Sequence, residues 1–280
     1  MTAFWTKFLA IDKRFIYLAI MLALTLPLFL DMDLPIDVSP QVREVYEQIE
    51  ALPEGAIVWI SFELDPAAEP ESAPMIRSLV RHLLRKQARI VIGGFRAQGP
   101  TLAQRYAQHV FDEYGAVYGV DYLNFGYRDR MDTTMTTACT SFVDAYSNRD
   151  INNLPLTDFP LMADLHSAKG LSMAIVFDMG LPSISDYIFY WRATGTVEHI
   201  IGVPTAANIS AQMVNYNAGL LKGILGGMSG AAQYEVVLGI ADSASKGINA
   251  QSIAQMVIVL FVILGNIGHF ITAKQNSERK

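Results

Sequence analysis

The sequence predicts one doubly wound α/β domain, built on a mostly parallel sheet and held between an N-terminal and a C-terminal transmembrane helix. Three observations predict it. Short continuous apolar runs, such as AIVWISF at 56–62, alternate with stretches of helical period. An unbroken apolar run is the mark of a strand covered on both faces. The most apolar segments lie at the two ends, residues 15–30 and 253–271. Charge is divided the same way: residues 1–14 and 272–280 each carry a formal +2 in a chain of −6, which leaves −10 between them.

Residues 253–271 (IAQMVIVLFVILGNIGHFI) hold no charged side chain. At about 1.5 Å per residue they reach about 28 Å, close to the roughly 30 Å of a bilayer core. Residues 15–30 (FIYLAIMLALTLPLFL) are shorter, and Phe4, Trp5, Phe8 and Leu9 ahead of them suit a membrane interface. No small-x-small cleavage site follows, so an uncleaved signal anchor is expected rather than a removed signal peptide. Basic flanks stay in the cytoplasm. The expected layout is a cytoplasmic segment and anchor over 1–33, an extracytoplasmic domain over 34–250, and a second span with a basic tail over 251–280. Neither span carries Asp, Glu, Lys or Arg, which argues against an ion path. Gly265, Asn266 and His269 share one helical face and are expected to pack against another helix.

Between the spans, Ser39 is expected as an N-cap with Pro40 in the first turn, and Val42, Val45, Tyr46 and Ile49 repeat at helical spacing. The first strand, 56–62, follows. A helix over 74–86 turns Met75, Leu79, Val80 and Leu83 inward. A strand at 89–93, a helix over 101–114 and a strand at 121–125 continue the alternation. The Thr-rich stretch 131–146 is expected to be helical, and 155–167 to hold a short helix. A fourth strand (171–177), a helix (183–193), a fifth strand (197–202), a helix (206–215), a sixth strand (220–225) and a helix from 230 complete the domain. Residues 243–251 form a polar linker into the second span. Strand and helix in alternation define a Rossmann- or flavodoxin-like sheet. Residues 127–159 lack a core period and are expected either as a lid over the carboxyl edge or as a helical excursion.

In open α/β sheets ligands bind beyond the carboxyl ends of the strands. Glu63 and Asp65 follow the first strand, Gly94 and Arg96 the second, Asp178 the fourth. Asp65 and Asp178 are the pair able to do acid–base work or hold a cation, with Ser229 as the nucleophile of a hydrolase. The competing role for an Asp after a strand is to form the turn. Gly94, Asn124, Thr205 and Asn208 mark a subsite for a small polar molecule. Gly226 and Gly227 before a helix can offer free amides to an anion. Neither glycine pair matches G-x-G-x-x-G or the P-loop, and the five histidines have no metal-ligand spacing, so no cofactor and no metal are expected. The acidic middle excludes nucleic acid as a partner. Cys139 is the single cysteine, so no intrachain disulfide forms, and a small buried apolar role is expected for it.

The stretch LPIDVSP at 34–40 leads from the anchor into the domain, and LGGMSGAAQYE at 225–235 precedes the final helix. With the two end spans, these resemble bacterial inner-membrane proteins that carry an external α/β domain, among them auxiliary subunits of ABC-type export and gliding systems. The resemblance implies a non-catalytic accessory or scaffold subunit, with the lipid bilayer and other membrane subunits or a second copy as partners. It implies no catalytic residue. The alternative is an anchored hydrolase, or a small-ligand sensor, working at the carboxyl edge of the sheet.

Overall fold

The strands are apolar on both faces, and the segments joining them fold back to cover those faces. The computed structural model describes residues 5, 10–30, 35–240 and 242–278. Five parallel strands form one sheet: β1 (Ile57–Glu63), β2 (Arg89–Gly94), β3 (Tyr122–Tyr127), β4 (Met173–Asp178) and β5 (Ile200–Pro204). Their spatial order is β3-β2-β1-β4-β5. That is the Rossmann order rather than the flavodoxin one, and it places the topological switch between β1 and β4. The chain divides into two compact units, Ile36–Ala244, which holds the whole sheet, and Met1–Pro35 with Ser245–Lys280.

The helices are α1 (Lys13–Phe29), α2 (Pro40–Glu50), α3 (Glu69–Arg85), α4 (Gly99–Glu113), α5 (Met131–Ala138), α6 (Phe142–Ala145), α7 (Ile184–Tyr187), α8 (Ile209–Asn217), α9 (Gly227–Leu238) and α10 (Ser243–Glu278). α3 packs against α4 and α9. Odd-numbered residues of β1 face the other way. Trp59 lies at the centre of that second layer, stacked on Phe142 at 5.6 Å and edge-on to Phe125 at 5.8 Å and Trp191 at 5.5 Å. Ring pairs of this geometry add about 0.5–1.5 kcal/mol each beyond the area they bury.

The crossover from β3 to β4 builds most of this second layer. Its Met135, Phe142, Tyr146, Leu156, Leu161 and Leu165 are all buried in one cluster with Trp59 and Val91. Residues 127–159 are therefore a helical excursion that covers a sheet face, and not a lid. The expected helix 131–146 breaks into α5 and α6, because Ser141 caps a new start by accepting from the Asp144 amide. The expected helix in 155–167 is a pair of 3₁₀ turns, Leu156–Asp158 and Pro160–Ala163, where Pro160 cannot donate to a longer ladder. α7 runs on into a π-helical turn, Ile188–Arg192.

The sixth strand is corrected to a short parallel pairing along β5. The Lys222 amide donates to the Ile200 carbonyl at 2.8 Å and Gly202 to Gly223 at 3.1 Å, with one bridge at Ile224. A Cβ on Gly223 would lie 2.4 Å from the Val45 side chain, so α2 crowds this edge and no longer strand forms. The expected linker 243–251 is also corrected: it is the first part of α10. Gly247 is the one poor helix former there, and a single glycine costs only about 1 kcal/mol.

Of the described helices, α10 is the one long and apolar enough to cross a membrane, over Ser243–Ile271, 29 residues. α1 has 17 residues with Pro27 inside it. The expectations for Phe4, Phe8 and Leu9, and for the charges at 7, 279 and 280, fall outside the described residues.

Candidate functional site

Alternation along β1 decides what stands at the switch point. Trp59, Ser61 and Glu63 share one face, so the apolar strand ends with two polar side chains two residues apart. Glu63 is fully buried. Its carboxyl accepts from Ser61 Oγ at 2.5 Å, from Tyr187 Oη at 2.9 Å and from the Phe95 amide at 3.0 Å. The Ser61 and Tyr187 hydroxyls also touch each other. Desolvation pushes the Glu63 pKa up to about 7 against the pull of these donors. Gly94 faces this carboxyl, and a Cβ there would sit in ordinary contact with it, 3.4 Å away.

Asp178 ends β4 and is the register partner of Glu63. It is buried, and accepts from the Gly180 amide at 2.6 Å and from Gln212 Nε2, on α8, at 2.8 Å. Burial raises its pKa, opposed by those donors and by the nearby Arg96 charge. Arg96 spans the two strand ends. One guanidinium nitrogen holds Asp65 Oδ2 at 2.5 Å and the other holds the Leu181 carbonyl at 2.9 Å.

Asp65 lies just beyond β1 and Asp178 at the end of β4, with Arg96 bonded to the first and its charge near the second, and this chain's own donors occupy both. Ser229 does not join them. It is exposed on α9, and its hydroxyl accepts from Gln233 one turn along the same helix at 3.2 Å. The small-ligand subsite does not assemble either. Gly94 faces Glu63, and Asn124 spends its amide on the Pro100 carbonyl at 3.0 Å and Gln104 at 2.8 Å, and its oxygen on the Gly126 amide at 2.9 Å. Thr205 donates its amide to the Asp178 carbonyl at 2.8 Å, and the Asn208 amide goes to Thr205.

The Gly226–Gly227 cradle is filled from within. Glu71, in the first turn of α3, accepts from the Ala206 amide at 2.8 Å and would lie 3.1 Å from a Cβ on Gly227. The space left beside it is about 10 Å³, room for one water at most. Gly226 is required because a Cβ would meet Ile209 at 2.5 Å. Larger hollows lie elsewhere: about 470 Å³ beside Thr140, Phe159 and His166, about 340 Å³ beside Arg192 and Lys222, and about 210 Å³ beside Ser39, Met213 and Ser229.

Gly265 has open space around it, with nothing within 4 Å of a Cβ built there, and Asn266 donates to the Val262 carbonyl of its own helix at 2.9 Å. Cys139 is half-buried with a free thiol, its Sγ donating to the Met135 carbonyl at 3.3 Å. Among the described residues no three His, Cys, Asp or Glu group to hold a metal ion.

Ser61, Tyr187 and Gln212 were not among the expected site residues. For Ser61 a signal exists, since S-x-E closes an otherwise apolar strand. Tyr187 and Gln212 arrive from distant helices that carry no motif.

The strand order and the crevice define the class: a Rossmann-like α/β protein whose switch point is filled by its own side chains. Comparison of the chain with protein-family models, with curated proteins and with solved structures found no match in any of the three.

Proposed function

We propose that this chain is a membrane-anchored accessory or scaffold subunit of a larger complex, with its α/β domain acting as an interaction module outside a bacterial cytoplasmic membrane. The observation that carries the reading is α10. Its candidate spanning segment, Ser243–Ile271, leaves Met256, Val259, Val262, Ile263 and Phe270 exposed. Apolar surface of that length is stable only when lipid or another helix covers it. α1 supports a second anchor: Phe15, Leu18, Met21, Leu22 and Phe29 are exposed along it, and it contains no charge after Arg14. At about 26 Å it suits a slightly thinned bilayer. The basic flanks then keep both termini in the cytoplasm.

The filled switch crevice supports an interaction role over a catalytic one. Where related topologies hold a ligand, Glu63, Asp178 and Arg96 tie strand ends and turns together. The hydrolase alternative has no comparable support, because Ser229 is bonded on its own helix. Gly265, with open space around it, sits on one face with Asn266 and His269, and a small residue there suits close approach of a second helix, from another subunit or another copy.

Reporter fusions after Gln251 and after Lys280 are expected to give opposite answers, external and cytoplasmic. Gly265→Cys in a Cys139→Ser background is expected to cross-link in native membranes, to a copy or to a stoichiometric partner. A protein that fractionates with the cytosol, or that stays monomeric and partnerless in mild detergent, overturns the reading.

A further inference from the structure

At the opposite end of the sheet from the switch point, a hollow of about 340 Å³ is lined by Arg192, Glu198, His199 and Lys222. Three segments meet there: the π-helical turn that ends at Arg192, the approach to β5, and the stretch paired along the outer edge of β5. Arg192 is held in place by backbone oxygens. Its guanidinium donates to the Glu198 carbonyl and, at 2.9 Å, to the Gly219 carbonyl. His199 is oriented by Gln48 of α2, whose amide oxygen lies 3.0 Å from Nδ1. That leaves Nε2 outside the described hydrogen bonds.

Two cations, a histidine and one carboxylate line this hollow. Several cations of the domain meet carboxylates, among them Arg77 with Asp242, Arg81 with Glu113, Lys86 with Glu50, Arg89 with Asp164 and Arg96 with Asp65. Neither Arg192 nor Lys222 has a carboxylate within 4.0 Å among the described residues, although Glu198 lines the same space. Lys222 is half-buried between two buried neighbours, Leu221 and Gly223, and its backbone is fixed by the Ile200 carbonyl.

We infer that this hollow is a binding site for a phosphate group carried by a small molecule or a lipid headgroup. A guanidinium fixed in advance supplies its remaining N–H groups and its charge, Lys222 supplies a point charge, and His199 supplies a ring nitrogen. Guanidinium and ammonium together match tetrahedral oxyanions better than either does alone. The volume accommodates a small phosphate ester. Preorganisation matters because the domain as a whole is acidic and repels anions at a distance. The site does not depend on how the chain is anchored.

The test uses the full chain in neutral detergent, titrated calorimetrically with inorganic phosphate against chloride at matched ionic strength. Saturable phosphate binding is expected. Lys222→Gln is expected to weaken it about tenfold, the worth of one charge-assisted contact, without moving the melting temperature of the free protein. Lys169→Gln, on an exposed lysine far along the sequence, is expected to leave it unchanged. Nanodiscs containing phosphatidate in place of phosphatidylcholine separate the sources: loss of phosphate binding in them supports the headgroup, and retained binding supports a soluble ester. Heat indistinguishable from chloride, or equal binding by Lys222→Gln and Lys169→Gln, overturns the inference.

Discussion

Glu63 and Asp178 stand side by side across β1 and β4, two buried carboxyls in register at the point where the strand order reverses. Desolvation raises both, Glu63 to about 7. The native state therefore takes up the Glu63 proton before the unfolded chain does. Its stabilising contribution is complete below the ordinary value of 4.5 and is lost as pH rises through about 7. The whole effect is roughly 3 kcal/mol. Glu63→Gln keeps an acceptor for the Phe95 amide and removes the titration. Melting curves followed by Trp59 and Trp191 fluorescence are expected to lose most of their fall between about pH 5 and pH 8. A variant that falls as steeply as the parent assigns the effect to Asp178.

His82 gives the opposite slope. It is buried, with Tyr234 Oη 2.7 Å from Nδ1 and Glu50 3.0 Å from Nε2. Desolvation lowers its pKa, and the Glu50 contact only partly restores it. A histidine held below its ordinary value stabilises the fold above 6.5, and that contribution is lost as pH falls below 6.5. His82→Asn retains an acceptor for Tyr234. It is expected to flatten the acid side of the stability profile, at a cost of about 1 kcal/mol from the lost stacking on Tyr46. An unchanged acid limb in thermal melts at pH 5 and 7 argues against it.

Two glycines separate crowding from backbone conformation. A Cβ on Gly99 would lie 1.9 Å from the Phe62 carbonyl oxygen, so α4 must move away from β1 to admit it. Gly115 has φ +63 and open space around it. Gly99→Ala is expected to cost more than about 3 kcal/mol, and Gly115→Ala about 1 kcal/mol. Chemical denaturation of both variants checks the order, and equal costs would contradict it.

The anchor can be tested by charge. Leu260→Arg places an arginine in the middle of the apolar stretch, where insertion costs about 3 kcal/mol. Extraction into alkaline carbonate is expected to rise sharply. The same substitution at the exposed Gln251, near the start of the stretch, is expected to have little effect. Equal extraction of the two variants would point to attachment by other means.

The sequence alone determined the alternation, the apolar ends and the parallel sheet, because these are periodicities and compositions that act locally. Apolar runs such as RIVIG and LSMAIVF have no polar face to expose, so they had to be covered strands. It also placed Asp65 and Asp178 at strand ends. Only the tertiary structure decided the strand order, and with it that β1 and β4 are neighbours. That adjacency makes Glu63 the partner of Asp178 and brings Arg96, Tyr187 and Gln212 to them from segments far apart in the chain. It likewise decided that Glu71 fills the cradle at Gly227, and that Arg192 and Lys222 share one hollow. Burial and electrostatic environment are sums over neighbours, and neighbours thirty or more residues apart are chosen by packing rather than by any local pattern.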